Sequence, residues 1–189
     1  MIEHPVRTQT GRILTNPPVM RLIFDDIHFA IVWAFVRVFV GVIWLDAGFN
    51  KISNPAWMET GDALKKFWTT MVQTPSSGAP PIAIDWYRGF LQTMLDNGWY
   101  TWFAKVIAVG ELVVGIMLIT GLLVGLAAFL GALMNFNYLM AGSDSLNPIL
   151  LLAAILLILA WKTAGYYGLD RFIVPRLGAT WESDQIKTE

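Results

Sequence analysis

The sequence predicts an all-α membrane protein: a four-transmembrane-helix bundle with short amphipathic helices in the loop between its first and second spans. Three observations carry this prediction. Apolar residues make up 56% of the chain and charged residues only 14%, against roughly 45–50% and about 25% in a soluble domain. The mean hydropathy of +0.54 means more apolar surface than a soluble chain of 189 residues can bury within itself. Long apolar runs, near the ~20 residues that a bilayer crossing needs, alternate with polar stretches.

The first run extends from Phe29 to about Phe49 and is interrupted by Arg37. It starts too far into the chain for a cleaved signal peptide, and no small-residue cleavage site follows it, so it is read as retained. Residues 50–101 then form a long polar loop. The run from Trp102 to Gly142 is too long for one helix. Thr120-Gly121 divides it into a hairpin, Trp102–Thr120 and Leu122–Ala141. After a turn, Asn147-Pro148 supplies a cap and a first-turn proline for a fourth span from Pro148 to about Tyr167. The membrane domain is thus 29–170, with tails at 1–28 and 171–189.

Charge orients the bundle. Seven basic residues (Arg7, Arg12, Arg21, Lys162, Arg171, Arg176 and Lys187) stand on the side of the termini, against four (Lys51, Lys65, Lys66 and Arg88) in the long loop. The positive-inside rule therefore predicts a multi-pass protein of the cell membrane with both termini cytoplasmic and the loop outside. Trp33, Trp99, Trp102, Trp161, Tyr166 and Tyr167 fall near the helix ends and read as an interfacial aromatic belt. Within the loop, Trp57, Leu64, Phe67, Trp68 and Met71 recur at helical spacing, as do Trp86, Phe90, Leu91, Met94 and Leu95, with a proline-rich break from Pro75 to Pro81 between them. Two amphipathic helices follow from this pattern, either anchored in the interface or folded over the bundle as a lid.

Several chemistries are excluded. A net charge of −1 argues against nucleic acid, whose phosphates call for a basic face. The chain contains no cysteine, which removes thiolate nucleophiles and thiolate-held iron–sulfur or zinc sites. Its two histidines, His4 in the tail and His28 at the membrane entrance, are not placed to hold a haem in the bundle. No metal site is predicted.

Polar residues inside the apolar runs are the candidates for function. A charge at mid-membrane costs roughly 2.5–3.5 kcal/mol and is normally paired. Arg37 lies eight residues past Phe29 and Glu111 nine residues before Thr120, depths of roughly 12 Å and ~13–14 Å at the helical rise. Matching depth on consecutive antiparallel helices predicts an Arg37–Glu111 ion pair, serving either helix registry alone or a ligand as well. Arg37, Gly41, Trp44, Gly48 and Lys51 share one stripe of the first helix, at spacings of 4, 3, 4 and 3. Glycines there admit a helix or a flat ring close to the backbone. Glu111, Gly115 and Leu118 form the facing stripe of the second helix. On the third, Gly121, Gly125, Ala128 and Ala132 make a small-residue seam that ends in Asn135, either interhelical glue or a donor to a ligand. Asp46 lies on the opposite side of the first helix, where Lys51 or Lys105 is within reach at the outer mouth.

These stripes carry a family resemblance. Arg37-x3-Gly41-x2-Trp44-Leu45-x2-Gly48-x2-Lys51, then Asn54-Pro55-x-Trp57, resembles the first helix of the DoxX/DoxD family. Gly110-Glu111-x3-Gly115-x2-Leu118-x2-Gly121 is similar to its second helix, and Asn147-Pro148 with Gly165-x2-Gly168-Leu169-Asp170 is similar to its final segment. The resemblance implies a four-helix membrane bundle. It also implies the DoxD-type subunit of a thiosulfate:quinone oxidoreductase, which oxidises thiosulfate to tetrathionate and reduces membrane quinone with a second subunit taking part.

On the residues themselves, a buried carboxylate such as Glu111 can relay a proton to a quinone, tuned by Arg37. Trp44 can stack on the quinone head, and Gly41, Gly48, Lys51, Gly115 and Asn135 complete the expected quinone site. The expectation is therefore an oxidoreductase subunit that takes quinone as substrate, works with a second membrane or membrane-anchored subunit and contacts membrane lipid. The alternative is a non-enzymatic accessory subunit of a larger membrane complex. A transporter ranks last, because no repeat relates the two halves of the chain.

Overall fold

Lipid offers no hydrogen bonds, so each backbone polar group within it must be satisfied along its own segment. All regular structure among the described residues is helical. The computed structural model describes residues 17–74, 78–143 and 145–177. Arg7, Arg12 and Lys187 of the tails, and the Pro75–Ser77 part of the proline-rich break, lie outside them.

Helix α1 (Pro18–Phe24) and a single 3-10 turn (Ile27–Phe29) lead into α2 (Ala30–Ile52). The loop folds into α3 (Pro55–Met58), α4 (Asp62–Met71) and α5 (Asp85–Asp96). Three long apolar elements follow: α6 (Tyr100–Thr120), α7 (Val124–Met140) and α8 (Asn147–Leu159). Two short helices, α9 (Trp161–Gly165) and α10 (Asp170–Ile173), and a 3-10 helix (Val174–Leu177) close the described chain. The segment Ile27–Ile52, with 26 residues, and α6, with 21, are long and apolar enough to cross a membrane; α7 and α8 are shorter apolar helices. The expected fourth span, Pro148–Tyr167, is interrupted after Leu159. At the break the Thr163 hydroxyl donates to the carbonyls of Ala160 (3.0 Å) and Phe24 (2.8 Å), which ties this end of the bundle to α1.

All four long helices leave large side chains uncovered, among them Phe35 and Phe39 on α2, Val109 and Ile116 on α6, Phe129 and Phe136 on α7, and Leu152 and Ile155 on α8. An apolar surface of this extent is what lipid, rather than water, covers. The inward faces form one core around Val40, Trp44, Val114, Leu118, Ala128 and Leu157. Trp33, expected in the interfacial belt, is instead buried in this core region, stacked on Phe24 and donating to the Ile23 carbonyl at 2.7 Å. Trp99 and Trp102 are half exposed, as a belt requires.

Helices α2 and α6 approach most closely. A methyl group on Gly48 would stand 2.5 Å from the Leu112 backbone nitrogen, and one on Gly115 would stand 2.5 Å from that of Leu45. Only glycine allows two backbones this near. The loop helices are a lid rather than a free anchor. Leu64 and Trp68 of α4, with Leu91 and Met94 of α5, are buried against Ala104 and Ile107 of α6 and Ala141 after α7, forming a second core.

Candidate functional site

The buried charged residues Arg37, Asp170 and Glu111 separate into two clusters at opposite ends of the bundle. The expected Arg37–Glu111 pair does not form. Leu45 lies against Gly115 and Gly48 against Leu112, so antiparallel counting places the end of α6 opposite the middle of α2. The first turns of α2 run on roughly 15 Å beyond that point at the helical rise. Phe29 and Thr120 therefore do not mark one plane, and the depths measured from them were not comparable.

Arg37 sits at the end of α6, where its carbonyls lose their helical partners. It is 2% exposed. Nη1 donates to the Leu118 and Ile119 carbonyls at 2.6 and 3.0 Å, and Nη2 to the Tyr167 carbonyl at 3.0 Å. A cation at a helix C-terminus also meets the favourable end of the dipole. Gly121 takes the left-handed conformation that turns the chain there, with φ of 70°. The segment after α9 closes beneath it: the amides of Leu169 and Asp170 donate to the Thr120 and Gly121 carbonyls at 3.1 and 2.8 Å. The Asp170 carboxylate accepts from the amides of Leu123 (2.5 Å) and Val124 (2.8 Å), capping the start of α7 from a distant part of the chain. This cluster is a clamp on the α6–α7 turn.

The second cluster lies under the lid. Glu111, 1% exposed, receives the Lys51 ammonium at 2.6 Å on one oxygen and the Tyr138 hydroxyl at 2.5 Å on the other. The Lys51 ammonium also lies 5.2 Å from the centre of the Trp57 ring, a cation–π contact. Tyr138 stacks on Trp44 with ring centres 6.5 Å apart. Asp46, on the far side of α2, accepts from Asn50 at 3.1 Å rather than from a lysine.

Lys51, Glu111, Tyr138 and Trp44 border a cavity of about 680 Å³, within the ~300–1,000 Å³ of small-molecule sites. Its remaining walls are largely aromatic and aliphatic, with Trp57, Trp68, Tyr87 and Phe103 at the lid end and Val114 and Leu150 deeper in. Such a site offers a ring-sized apolar space with a hydrogen-bonded cation, carboxylate and phenol at its edge. It can donate to a carbonyl oxygen and exchange a proton along one connected set of bonds.

Of the residues expected at a ligand site, Glu111, Lys51 and Trp44 come together here. Gly41, Gly48 and Gly115 lie in the α2–α6 contact and admit a helix, not a ring. Arg37 belongs to the clamp. Asn135 is fully buried on the inward face of α7, outside the cavity wall, and its amide has no hydrogen-bond partner among the described residues. Tyr138 and Tyr87 escaped the sequence reading, since neither carries a charge and Tyr87 lies in the loop, off the apolar runs. The available signal was spacing: Tyr138 follows Asn135 by three residues and so shares the inward face.

The sequence profile of the DoxX family matches residues 32–142. That range holds both helix stripes and the whole Lys51–Glu111–Tyr138 cluster, whereas Asn147-Pro148 and Gly165 to Asp170 fall outside it. No curated protein and no solved structure matches the chain.

Proposed function

This chain belongs to the DoxX family of membrane proteins, and from that premise we propose that it is the quinone-binding subunit of an oxidoreductase acting with a partner subunit. The observation that carries the reading is the apolar cavity edged by Lys51, Glu111 and Tyr138. Reduction of a quinone consumes two electrons and two protons. Lys51 donates to a quinone carbonyl oxygen, and Glu111 with Tyr138 passes protons to it, while Trp44 and the aromatic walls take the ring. With thiosulfate as the reduced sulfur compound, two thiosulfates, one quinone and two protons give one tetrathionate and one quinol. The partner, also in or on the membrane, takes up the electrons of thiosulfate and passes them to the quinone.

In this reading α2, α6, α7 and the α8–α9 pair are four crossings, with both termini in the cytoplasm by the excess of basic residues on their side. One observation favours a second reading, an accessory subunit of a larger membrane complex. Arg37, Gly41, Gly48 and Gly115, much of the family-like pattern, serve helix packing and not the cavity.

The test is thiosulfate-dependent reduction of a soluble quinone analogue by the protein purified in mild detergent with the proteins that accompany it. Glu111→Gln is expected to lower turnover by roughly 10²-fold, as loss of a general acid–base does, in an assembly that stays intact. Turnover untouched by the substitution, or none in an intact wild-type assembly, shifts the reading to the accessory subunit.

A further inference from the structure

The cavity does not end at its polar edge. Val106, Gly110 and Val113 form one stripe of α6, and Leu133, Met134 and Asn137 the facing stripe of α7; all six also line the cavity. Val106, Val113 and Leu133 are at the same time 55%, 43% and 48% exposed, more than the wall of a sealed cavity allows, so the cavity opens between these two helices. Its lips continue into the outward faces of Val109, Ile116, Phe129 and Phe136, the apolar surface that lipid covers. Above the opening, the Tyr87 hydroxyl of α5 donates to the Asn137 carbonyl at 3.1 Å, so the lid closes the end nearest water. Across the gap at Gly110, Met134 alone approaches: a methyl group on Gly110 would meet its sulfur and terminal carbon at 3.6 Å and nothing else within 4 Å. A flexible thioether facing a glycine is a soft closure that a chain of methylenes can push aside.

We propose that the gap between α6 and α7 is a lateral portal, through which an amphiphilic ligand enters from the bilayer and leaves its alkyl tail lying between Met134 and Gly110. The portal explains how an apolar cavity roofed toward water is filled. It also assigns the ligand class: a small ring with a hydrogen-bond acceptor at Lys51, carrying a hydrocarbon tail. This inference rests on the quinone reading for the head group, and the two fail separately in the following experiment.

The chain has no cysteine, so Ala47→Cys places a single thiol on the cavity wall contributed by α2. The full chain, in lipid nanodiscs, is treated either with an uncharged long-chain alkyl thiosulfonate carried in the lipid or with a permanently charged thiosulfonate in the water. The lipid-borne reagent is expected to label the thiol roughly tenfold faster than the charged one. Adding Gly110→Leu, which fills the portal, is expected to slow it by roughly tenfold, because entry then waits on displacement of the added side chain. Leu133→Trp, at a half-exposed lip where bulk does not disturb the core, is the second variant should Gly110→Leu not fold. Labelling by the charged reagent at the same rate, labelling indifferent to both portal variants, or no labelling by either reagent in folded protein overturns the portal. Portal-dependent labelling in a protein whose quinone turnover ignores Glu111→Gln leaves the portal standing and removes the quinone.

Discussion

Removing the Lys51 cation gives the sharpest test of which residues are partners. Lys51→Met preserves most of the stem and deletes the charge. Glu111, whose side chain is 2% exposed, then keeps only the Tyr138 hydroxyl. Breaking a buried ion pair by removing one partner costs about 3–5 kcal/mol. The Lys51 side chain is 21% exposed, which sets the expectation at the lower end, about 3 kcal/mol. At ~2–4 °C per kcal/mol for a chain of this size, the unfolding midpoint falls by roughly 6–12 °C. Glu111→Gln removes the charge that Lys51 answers, so in the Lys51→Met/Glu111→Gln double variant a large part of the loss returns, a coupling of about 2 kcal/mol. The same cycle with Arg37→Met, at the other end of the bundle, adds within about 0.5 kcal/mol. Thermal unfolding in mild detergent, followed by tryptophan fluorescence, measures all of these variants. Coupling of Glu111 to Arg37 but not to Lys51 refutes the helix register and restores the pair expected from depth alone.

Two further outcomes use the same purified protein. Gly48→Ala puts a methyl group into the Leu112 backbone and is expected to cost about 1–3 kcal/mol as overpacking. Gly89→Ala, in α5 with nothing within 4 Å of the new carbon, gains about 0.5–1 kcal/mol of helix stability; equal effects of the two substitutions on the midpoint refute the close approach. Burial pushes the Tyr87 phenol above its ordinary range. Its contribution is present in full below the unfolded value of about 10 and is lost as pH climbs through the higher folded value. Alkaline titration of phenolate absorbance against Tyr87→Phe measures this, and a Tyr87 that ionises at its ordinary value removes the argument that the lid is closed over it.

Much of this architecture was legible in the sequence because lipid imposes a local rule. Each crossing satisfies its own backbone, so the apolar runs and the Thr120-Gly121 turn announce helices and their ends without knowledge of neighbours. The lid helices were legible for a similar reason: Leu64 and Trp68, and Leu91 and Met94, repeat on single faces. Whether those faces meet lipid or protein is not encoded in periodicity, and the second core around Ala104 and Ala141 decided it.

The site was less legible. Glu111, Lys51 and Trp44 stood out as polar or bulky groups on inward stripes, and they do converge. Their grouping with Arg37 failed because depth along one helix carries no information about the shift between two helices. That shift is set by Gly48 against Leu112 and Gly115 against Leu45, contacts that exist only once the backbones pack. By itself, the sequence determined that the chain is a helical membrane protein, which residues are too polar to face lipid, and where close packing is permitted. The tertiary structure alone decided that Arg37 and Asp170 clamp the α6–α7 turn while Lys51 and Tyr138 hold Glu111 at a cavity, because the energy of a buried charge depends on which partner the register brings within hydrogen-bond distance.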